Sequence, residues 1–272
     1  MGSLNRDKKP IEETVNDSSR SEENRRFEPG RDPIVGVVVD EEAPADRIVR
    51  TLEASGATTV VGVASEVHEA EPTFVVATGE RGVLTSSRTD STVPVLAVEA
   101  GSGFPSVRTD MAGRAVERVL SGEATTVSRP LLSVDVDGED AGRALLDVTL
   151  VTDEPARISE FLLEHSSKNV ARFRADGLVV ATPAGSHGYA AAAGGPLLVS
   201  ESASLVAVPI APFVTSATRW VFGMDELSLT VVREEGSVEL LTDDVTVTVV
   251  DPGERVSIRP DGALSFLRVS IE

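Results

Sequence analysis

Apolar residues follow two different patterns along the chain, and the change between them falls near residue 125. In the first part, continuous apolar runs such as 34–39 alternate with stretches such as 45–55, where apolar residues recur at helical spacing. Continuous runs are typical of parallel strands that are buried on both faces, and their alternation with helices indicates a parallel α/β layer. The same patterns predict strands at 58–63, 74–77 and 94–98 and a helix at 111–120.

After residue 129 the apolar segments become short, and turn residues such as Asp137-Gly138 and Asp261-Gly262 separate them. This spacing predicts an all-β second part of sandwich type. The predicted strands are 131–136, 144–151, 178–181, 197–199, 205–208, 226–232, 237–241, 245–250, 255–258 and 267–271. The expected fold class is therefore α/β plus all-β: an N-terminal Rossmann-like parallel α/β domain followed by a C-terminal β-sandwich domain.

The segment 1–32 is polar and of mixed charge, with isolated apolar residues only, so it cannot bury enough surface to offset its ordering entropy. We predict a disordered tail over 1–32, the α/β domain over 33–124 and the β-sandwich domain over 125–272. No apolar run approaches the roughly 20 residues of a membrane-spanning helix, and the start has no apolar leader. We therefore expect a cytoplasmic protein without a membrane partner.

The charge balance and the Cys and His content limit the ligands that the protein is expected to bind. The chain has 44 acidic and 25 basic residues, of which 22 are Arg and 3 are Lys, for a net charge of −19. Nucleic-acid backbones need a basic surface, so a nucleic-acid partner is not expected. We expect a halophilic origin, because such a surface stays soluble at molar salt, and an acidic protein from a GC-rich genome is the alternative explanation of this balance. With no Cys and three His, we predict no protein metal site of the usual N/S type.

The candidate chemistry lies in residues 176–196, whose sequence is DGLVVATPAGSHGYAAAAGGP. The segment has little side-chain bulk, so backbone N–H groups and the hydroxyls of Thr182, Ser186 and Tyr189 can approach a flat or anionic ligand closely. A tight glycine turn packed against another backbone would have the same composition. Composition alone leaves both interpretations open.

This segment closely resembles the NAD kinase signature, D-G-x-x-x-(S/T)-T-P-T-G-S-T-A-Y-x-x-S-A-G-G-P. The matching residues are Asp176, Gly177, Thr182, Pro183, Gly185, Ser186, Tyr189, Ala193, Gly194, Gly195 and Pro196. Further similarity at 94–104, 128–132 and 209–219 extends the resemblance over essentially everything after residue 33. It implies that NAD or NADP and ATP are substrates, that nucleotide binds between two domains, and that the chain forms a homo-oligomer, either a dimer or a tetramer.

The resemblance also implies roles for individual residues. The family's G-G-D-G-T loop corresponds to 78–82, which makes Glu80 the catalytic base. The family's N-E pair, which holds a ribose, corresponds to Leu146-Asp147, and two of the loop glycines are replaced by Thr78 and Arg81. The residues implied to bind nucleotide are Thr78, Gly79, Arg81, Gly82, Asp147, Asp176, Thr182, Gly185, Ser186, His187 and Tyr189.

Two functions follow from these residues. The first is an NAD kinase that transfers phosphate from ATP or polyphosphate to the 2′-hydroxyl of NAD, with Mg²⁺ on the phosphates rather than in a recognisable protein motif. The second is a catalytically degenerate paralogue that binds NAD, NADP or another nucleotide as a sensor or structural subunit. A lipid- or metabolite-directed kinase of the same fold fits the match at 182–196 less well.

Overall fold

The structure, a computed structural model, describes residues 24–39, 46–89, 91–154, 157–214 and 218–271. The strands are β1 (Ile34–Val38), β2 (Thr58–Gly62), β3 (Phe74–Thr78), β4 (Val95–Val98), β5 (Ser106–Val107), β6 (Ala124–Val136), β7 (Glu139–Ala144), β8 (Asp147–Thr152), β9 (Ser159–His165), β10 (Lys168–Ala175), β11 (Gly177–Ala181), β12 (Ser204–Ile210), β13 (Trp220–Gly223), β14 (Leu227–Arg233), β15 (Val238–Thr242), β16 (Val245–Val249) and β17 (Arg255–Val269). The helices are α1 (Asp46–Ser55), α2 (Ala64–Glu69), α3 (Gly79–Ser87), α4 (Ala112–Leu120) and α5 (Tyr189–Ala192), with 3₁₀ turns at Thr109–Met111 and Gly185–His187.

The first layer is a parallel sheet in the order β2-β1-β3-β4. Its strands are buried runs of Val, Phe and Ala, and α1 and α4 cover one face with Ile48, Leu52 and Val116. The predicted strands and both predicted helices are confirmed. Helices α2 and α3 were not predicted, because α2 is very short and α3 carries Gly79 and Gly82, which disfavour a helix in isolation. Among the described helices, none is long and apolar enough to cross a bilayer.

The second layer is a sandwich of two antiparallel arrangements. Strands β10-β9-β14-β17 form one side, and the sheet β13-β12-β11-β8-β15-β16 forms the other. Apolar side chains from both sides, among them Leu150, Phe161 and Leu178, fill the space between them. The α/β layer followed by a β-sandwich confirms the predicted fold class. Residues 197–199, predicted as a strand, lie in a loop instead, and β7, β9, β10 and β13 were not predicted.

Strand β17 joins the two layers. The sequence predicted two strands separated by a turn at Asp261-Gly262, but the structure has one long strand with an irregularity between Pro260 and Ala263. The first half of β17 pairs with β14 in the sandwich, and Phe266 in its second half pairs in parallel with Val95 of β4. Because β6 pairs with β17 on both sides of the irregularity, the turn residues bend the strand without ending it.

The end of the predicted tail contacts the fold. The Phe27 backbone N–H donates to the carbonyl oxygen of Ala124 at 2.9 Å, and the Phe27 ring meets Phe74 edge-on at 6.1 Å between centroids. Arg26 forms an isolated bridge with Thr125 at the start of β6. Residues 24–27 therefore pair with β6, which the prediction of a tail over 1–32 did not include. Residues 28–32 belong to no helix or strand, and residues 1–23 of that prediction lie outside the described residues.

An apolar cluster connects the α/β layer to the sandwich. It contains Ala77, Val83, Leu84, Val95, Ala97, Ala100, Phe104, Leu131, Leu145, Ala184, Leu264 and Phe266. The rings of Phe104 and Phe266 stack with centroids 5.3 Å apart. Since helix α3, strand β17 and the loop at Ala184 all contribute to one buried cluster, the groups above it are held in fixed relation.

Candidate functional site

A cavity of about 270 Å³ lies above this cluster, between the carboxyl ends of β3 and β4 and the rim of the second sheet. We call it the site cavity. Its lining residues are Glu80, Leu84, Ser102, Gly103, Phe104, Leu146, Asp147, Ala184, Gly185, His187, Gly188, Tyr189, Asp243 and Asp244. The carboxyl edge of an open parallel sheet is the usual place for a ligand in α/β proteins.

Glu80 enters the cavity from the first turn of α3. The preceding residue, Gly79, has a φ of +70°, a conformation that favours glycine. Thr78 has an ordinary extended backbone, and Arg81 lies within the helix, so neither replacement of a family glycine falls at a position of positive φ. The Glu80 carboxylate lies beside Gly101 in the loop after β4.

The five residues 78–82 do not all face the same space. Arg81 and Gly82 line a second groove of about 230 Å³, on the other side of the start of α3, together with Val38 and Ala64. The Thr78 hydroxyl donates to the carbonyl oxygen of Val38 at 3.3 Å. The structure therefore places Glu80 in the site cavity and Arg81 in a neighbouring groove.

The segment 145–147, which follows β7 and ends on the first residue of β8, forms the opposite wall. One carboxylate oxygen of Asp243 accepts the backbone N–H groups of Leu146 and Asp147 at 2.7 and 3.2 Å, and the carboxylate also accepts that of Leu145 at 3.0 Å. From the other side, the Thr182 hydroxyl donates to the carbonyl oxygen of Leu145 at 2.7 Å. The backbone that leads to Asp147 is thus held from both neighbouring strands.

The glycine-rich loop after β11 uses its buried hydroxyls internally. The Ser186 hydroxyl donates to the carbonyl oxygen of Pro183 at 2.8 Å and accepts the N–H of Leu198 at 3.0 Å. At Gly185, an added Cβ would meet the carbonyl oxygen of Leu146 at 2.0 Å. The loop therefore packs backbone against backbone, as one interpretation of its composition predicted. It also presents His187 and Tyr189 to the cavity. Of the three hydroxyls that the ligand interpretation named, only that of Tyr189 belongs to a residue lining the cavity.

Asp176 lies at the far end of β11 and does not line the site cavity. It is nevertheless related to the site through Tyr189, a side chain that is 43% exposed. Burial, and then the charges of Asp147 and Asp176, raise the pKa of the Tyr189 phenol. Tyr189 therefore stays neutral and can donate a hydrogen bond over the usual pH range.

The site cavity is acidic. Its lining includes Glu80, Asp147, Asp243 and Asp244 but neither Lys nor Arg. Burial raises the pKa of Asp147 to about 7. The hydrogen bond from the Thr149 hydroxyl lowers this pKa, whereas the charges of Asp243 and Glu80 raise it. The pKa of Glu80 is raised mainly by burial and further by the negative charges of Asp244 and Asp243. The pKa of Asp243 is also raised by burial, although the three backbone N–H groups and Arg88 oppose this.

The described residues contain no group of three or more His, Cys, Asp or Glu side chains arranged to hold a metal ion. The carboxylates of the site cavity are therefore spread around its wall rather than gathered on one point.

Of the predicted site residues, the cavity brings together Glu80, Asp147, Gly185, His187 and Tyr189. Sequence reasoning did not assign Asp243 and Asp244, because adjacent acidic residues in so acidic a chain indicate surface first. A signal was present, since Asp-Asp between two apolar strand patterns marks a tight turn. The observed φ of Asp243, +54°, agrees with such a turn.

Comparisons with known proteins identify the family. The profile of the ATP-NAD kinase C-terminal domain matches residues 145–265, which include both the segment 145–147 and the turn at 243–244. The NAD kinase of Methanocorpusculum labreanum is 30% identical over 200 residues, which are 70% of this chain and 68% of that protein. The NAD kinase of Ectopseudomonas mendocina is 40% identical over 146 residues, which are 51% of this chain and 50% of that protein.

Solved structures with low sequence identity share the fold. A yeast NADH kinase complexed with NADH superposes with a TM-score of 0.76 at 16% identity, covering 89% of this chain and 84% of that one. An NAD kinase from Archaeoglobus fulgidus in complex with ATP gives a TM-score of 0.71 at 21% identity, covering 86% and 92%. Sequence and fold therefore agree, and this chain belongs to the NAD kinase family.

Proposed function

We propose that this chain phosphorylates the 2′-hydroxyl of the adenosine ribose of NAD, with ATP as the donor, to give NADP and ADP. The observation that carries the proposal is the position of Glu80. It is a carboxylate at the start of a helix, facing a cavity whose other walls are the segment 145–147 and the loop 182–189. The solved relatives with the same fold were complexed with NADH and with ATP, the two kinds of ligand that such a reaction needs.

In this proposal Glu80 acts as the general base. The 2′ O–H bond breaks and its proton passes to the Glu80 carboxylate while the 2′ oxygen bonds to the terminal phosphorus of ATP. The bond from that phosphorus to the bridging oxygen breaks, and ADP leaves. Burial and neighbouring carboxylates raise the pKa of Glu80, which strengthens it as a proton acceptor near neutral pH. Positioning and electrostatics supply most of the rate in phosphoryl transfer.

The remaining assignments belong to the same proposal. Asp147, Asp176 and Tyr189 hold the dinucleotide, while Thr182, Gly185 and Ser186 shape the loop that presents His187 and Tyr189 to it. Thr78, Gly79, Arg81 and Gly82 receive the donor phosphates around the start of α3, with Arg81 and Gly82 in the neighbouring groove and the terminal phosphate toward Glu80. Mg²⁺ arrives on those phosphates. The active form is a cytoplasmic homo-oligomer.

A catalytically degenerate paralogue is the weaker alternative. It drew its support from the replacement of two loop glycines by Thr78 and Arg81 and of the Asn of the family's N-E pair by Leu146. Thr78 and Arg81 adopt ordinary backbone conformations, and the position that favours glycine, Gly79, still carries one. The replacements therefore cause no backbone strain at the start of α3.

Two variants separate binding from chemistry. Glu80→Gln keeps the shape of the side chain but removes the base, so NADP formation should fall about 10²- to 10⁴-fold while NAD affinity stays nearly unchanged. Tyr189→Ala removes a planar surface from the cavity wall and should weaken NAD binding first. A coupled NADP assay and calorimetry with NAD measure the two effects. Parent and Glu80→Gln proteins that both bind NAD and are equally inactive would establish the degenerate paralogue instead.

A further inference from the structure

One face of helix α3 connects the site cavity to the sandwich. Glu80, Leu84 and Arg88 follow one another at intervals of four residues, so they lie on the same face of the helix and its end. Glu80 lines the cavity, and Leu84 is buried in the cluster beneath it. Arg88, the residue that ends the helix, donates from Nη2 to Oδ1 of Asp244 at 2.6 Å.

The turn that contains Asp244, the partner of Arg88, also holds the opposite wall of the site cavity. Asp244 directly follows Asp243, whose carboxylate accepts the N–H groups of residues 145–147. The pair Arg88–Asp244 therefore ties the helix that carries Glu80 to the turn that orients Asp147. The two side chains are 30% and 46% exposed, so a variant at either position can be made without opening the core.

Arg88 also balances charge at an acidic site. The groups that face Glu80 are Asp147, Asp243 and Asp244 across the cavity and His187 and Tyr189 on the loop. No Lys or Arg lines the cavity, so Arg88, just outside it, is the cation that partners Asp244 among the described residues. Loss of Arg88 would leave the charge of Asp244 uncompensated beside Glu80.

We propose that Arg88 and Asp244 are positioning residues for the reaction, and that their ion pair sets the place and the proton affinity of Glu80. The inference rests on the proposed function, because Glu80 is the base in that reaction. Neither residue needs to act on the transferred phosphate for the pair to affect the rate.

The test compares Arg88→Ala with Arg88→Lys and with a matched control, Arg172→Ala. Arg172 forms an ion pair of similar length, 2.7 Å, with Glu160 in the hairpin of β9 and β10, and it does not line the site cavity. We expect kcat of Arg88→Ala to fall about 10-fold with KM for NAD within about 2-fold, because the base is displaced while the dinucleotide wall is kept. Arg88→Lys should recover most of kcat, and Arg172→Ala should equal the parent.

The pH profile distinguishes positioning from simple loss of structure. Without Arg88, the negative charge of Asp244 raises the pKa of Glu80 further, so the acid limb of kcat/KM moves to higher pH in Arg88→Ala. A merely structural defect would lower the rate without moving that limb. An acid limb at the parent's position in Arg88→Ala would overturn the proposal.

A second readout does not need activity. A titration of ¹³C-labelled Glu carboxyls, with the Glu80 signal assigned by its loss in Glu80→Gln, follows Glu80 directly by NMR. We expect a higher pKa for Glu80 in Arg88→Ala than in the parent and in Arg172→Ala. An inactive parent would overturn the proposed function alone, while equal Glu80 titrations in all three proteins would overturn the role of the ion pair.

Discussion

The carboxyl groups of the site differ in their hydrogen-bond partners and in their exposure, and these differences determine which of them can accept a proton. Asp243 accepts three backbone N–H groups, so its charge is used to hold the segment 145–147. Asp147 is only 7% exposed, and its hydrogen-bond donor is the Thr149 hydroxyl at 3.0 Å. Glu80 is more exposed than either and is free to accept a proton. Family resemblance alone named Glu80 and Asp147, while the role of Asp243 depends on a contact between residues nearly a hundred positions apart.

Asp147→Asn should change how stability depends on pH. The pKa of Asp147 is raised from 3.8 to about 7 in the folded protein, so ionisation of this buried group opposes folding. Its contribution to stability is fully present below the unfolded pKa and is lost as pH rises through about 7. A difference of this size corresponds to roughly 4 kcal/mol in the free energy of unfolding. Denaturation in urea should therefore find the variant more stable than the parent at pH 8 and equal to it near pH 4.

The control for this experiment is Asp153→Asn, at the exposed position just after the other end of β8. Its stability should follow that of the parent at every pH. If Asp147→Asn also follows the parent between pH 4 and pH 8, Asp147 is not a buried group with a raised pKa.

At the scale of secondary-structure elements, the sequence predicted the helices and strands that have a clear apolar pattern within their own residues. The strands β1 to β4 and the helices α1 and α4 follow from continuous or periodic apolar runs. Helix α3 was missed because its formation depends on packing against β3 and β4 rather than on propensity. Strand β17 was divided in two because Asp261-Gly262 looks like a hairpin turn, and only the long pairing with β6 shows that it bends one strand. For the site, the sequence identified the signature loop, but the role of the turn at 243–244 became visible only in the folded structure.

Gly185→Ala should disturb the packing of the loop against the segment 145–147. An added Cβ would lie 2.0 Å from the carbonyl oxygen of Leu146 and 2.4 Å from its carbonyl carbon, so backbone must move. Overpacking of this kind costs about 1–3 kcal/mol, and here the displaced backbone leads directly to Asp147. We expect a lower melting temperature and weaker NAD binding, measured by calorimetry.

Gly82→Ala is the matched control for melting temperature. Gly82 is also buried and lies in helix α3, but an added Cβ would meet its nearest atom, the carbonyl oxygen of Val38, at 3.5 Å, an ordinary contact. Its melting temperature should equal or exceed that of the parent, because Ala favours the helix. If both variants melt like the parent, the close contact at Gly185 is not a constraint on the loop.

At the scale of the whole molecule, strand β6 connects residues 24–27 to the last strand, β17. Residues 24–27 pair with β6, β6 pairs with β17, and β17 returns to the α/β sheet beside β4. The site cavity lies between layers that this arrangement joins. Boundaries drawn at 33 and 125 remain predictions, and β17 shows that the last strand belongs to both layers.

Two changes at the N-terminus test whether the polar residues 1–23 and the packed residues 24–27 contribute differently to stability. Deletion of residues 1–23 should leave the melting temperature unchanged, because their composition offers little apolar surface to bury. Phe27→Ala in the full chain should destabilise by about 1–2 kcal/mol, since a half-buried ring that contacts Phe74 is lost. Thermal unfolding measures both. A Phe27→Ala protein that melts like the parent would show that residues 24–27 add nothing to the fold.

Stability should also increase with salt, because the net charge of −19 is spread over a surface with few compensating cations. Screening shortens the range of repulsion from about 10 Å at 0.1 M salt to about 3 Å at 1 M. Charges on one surface lie closer together than 10 Å, so relief continues into the molar range for a protein adapted to salt. We expect the melting temperature to rise steadily from about 0.1 M to about 2 M KCl, as measured by thermal unfolding. A melting temperature unchanged across that range would count against the halophilic explanation of the composition.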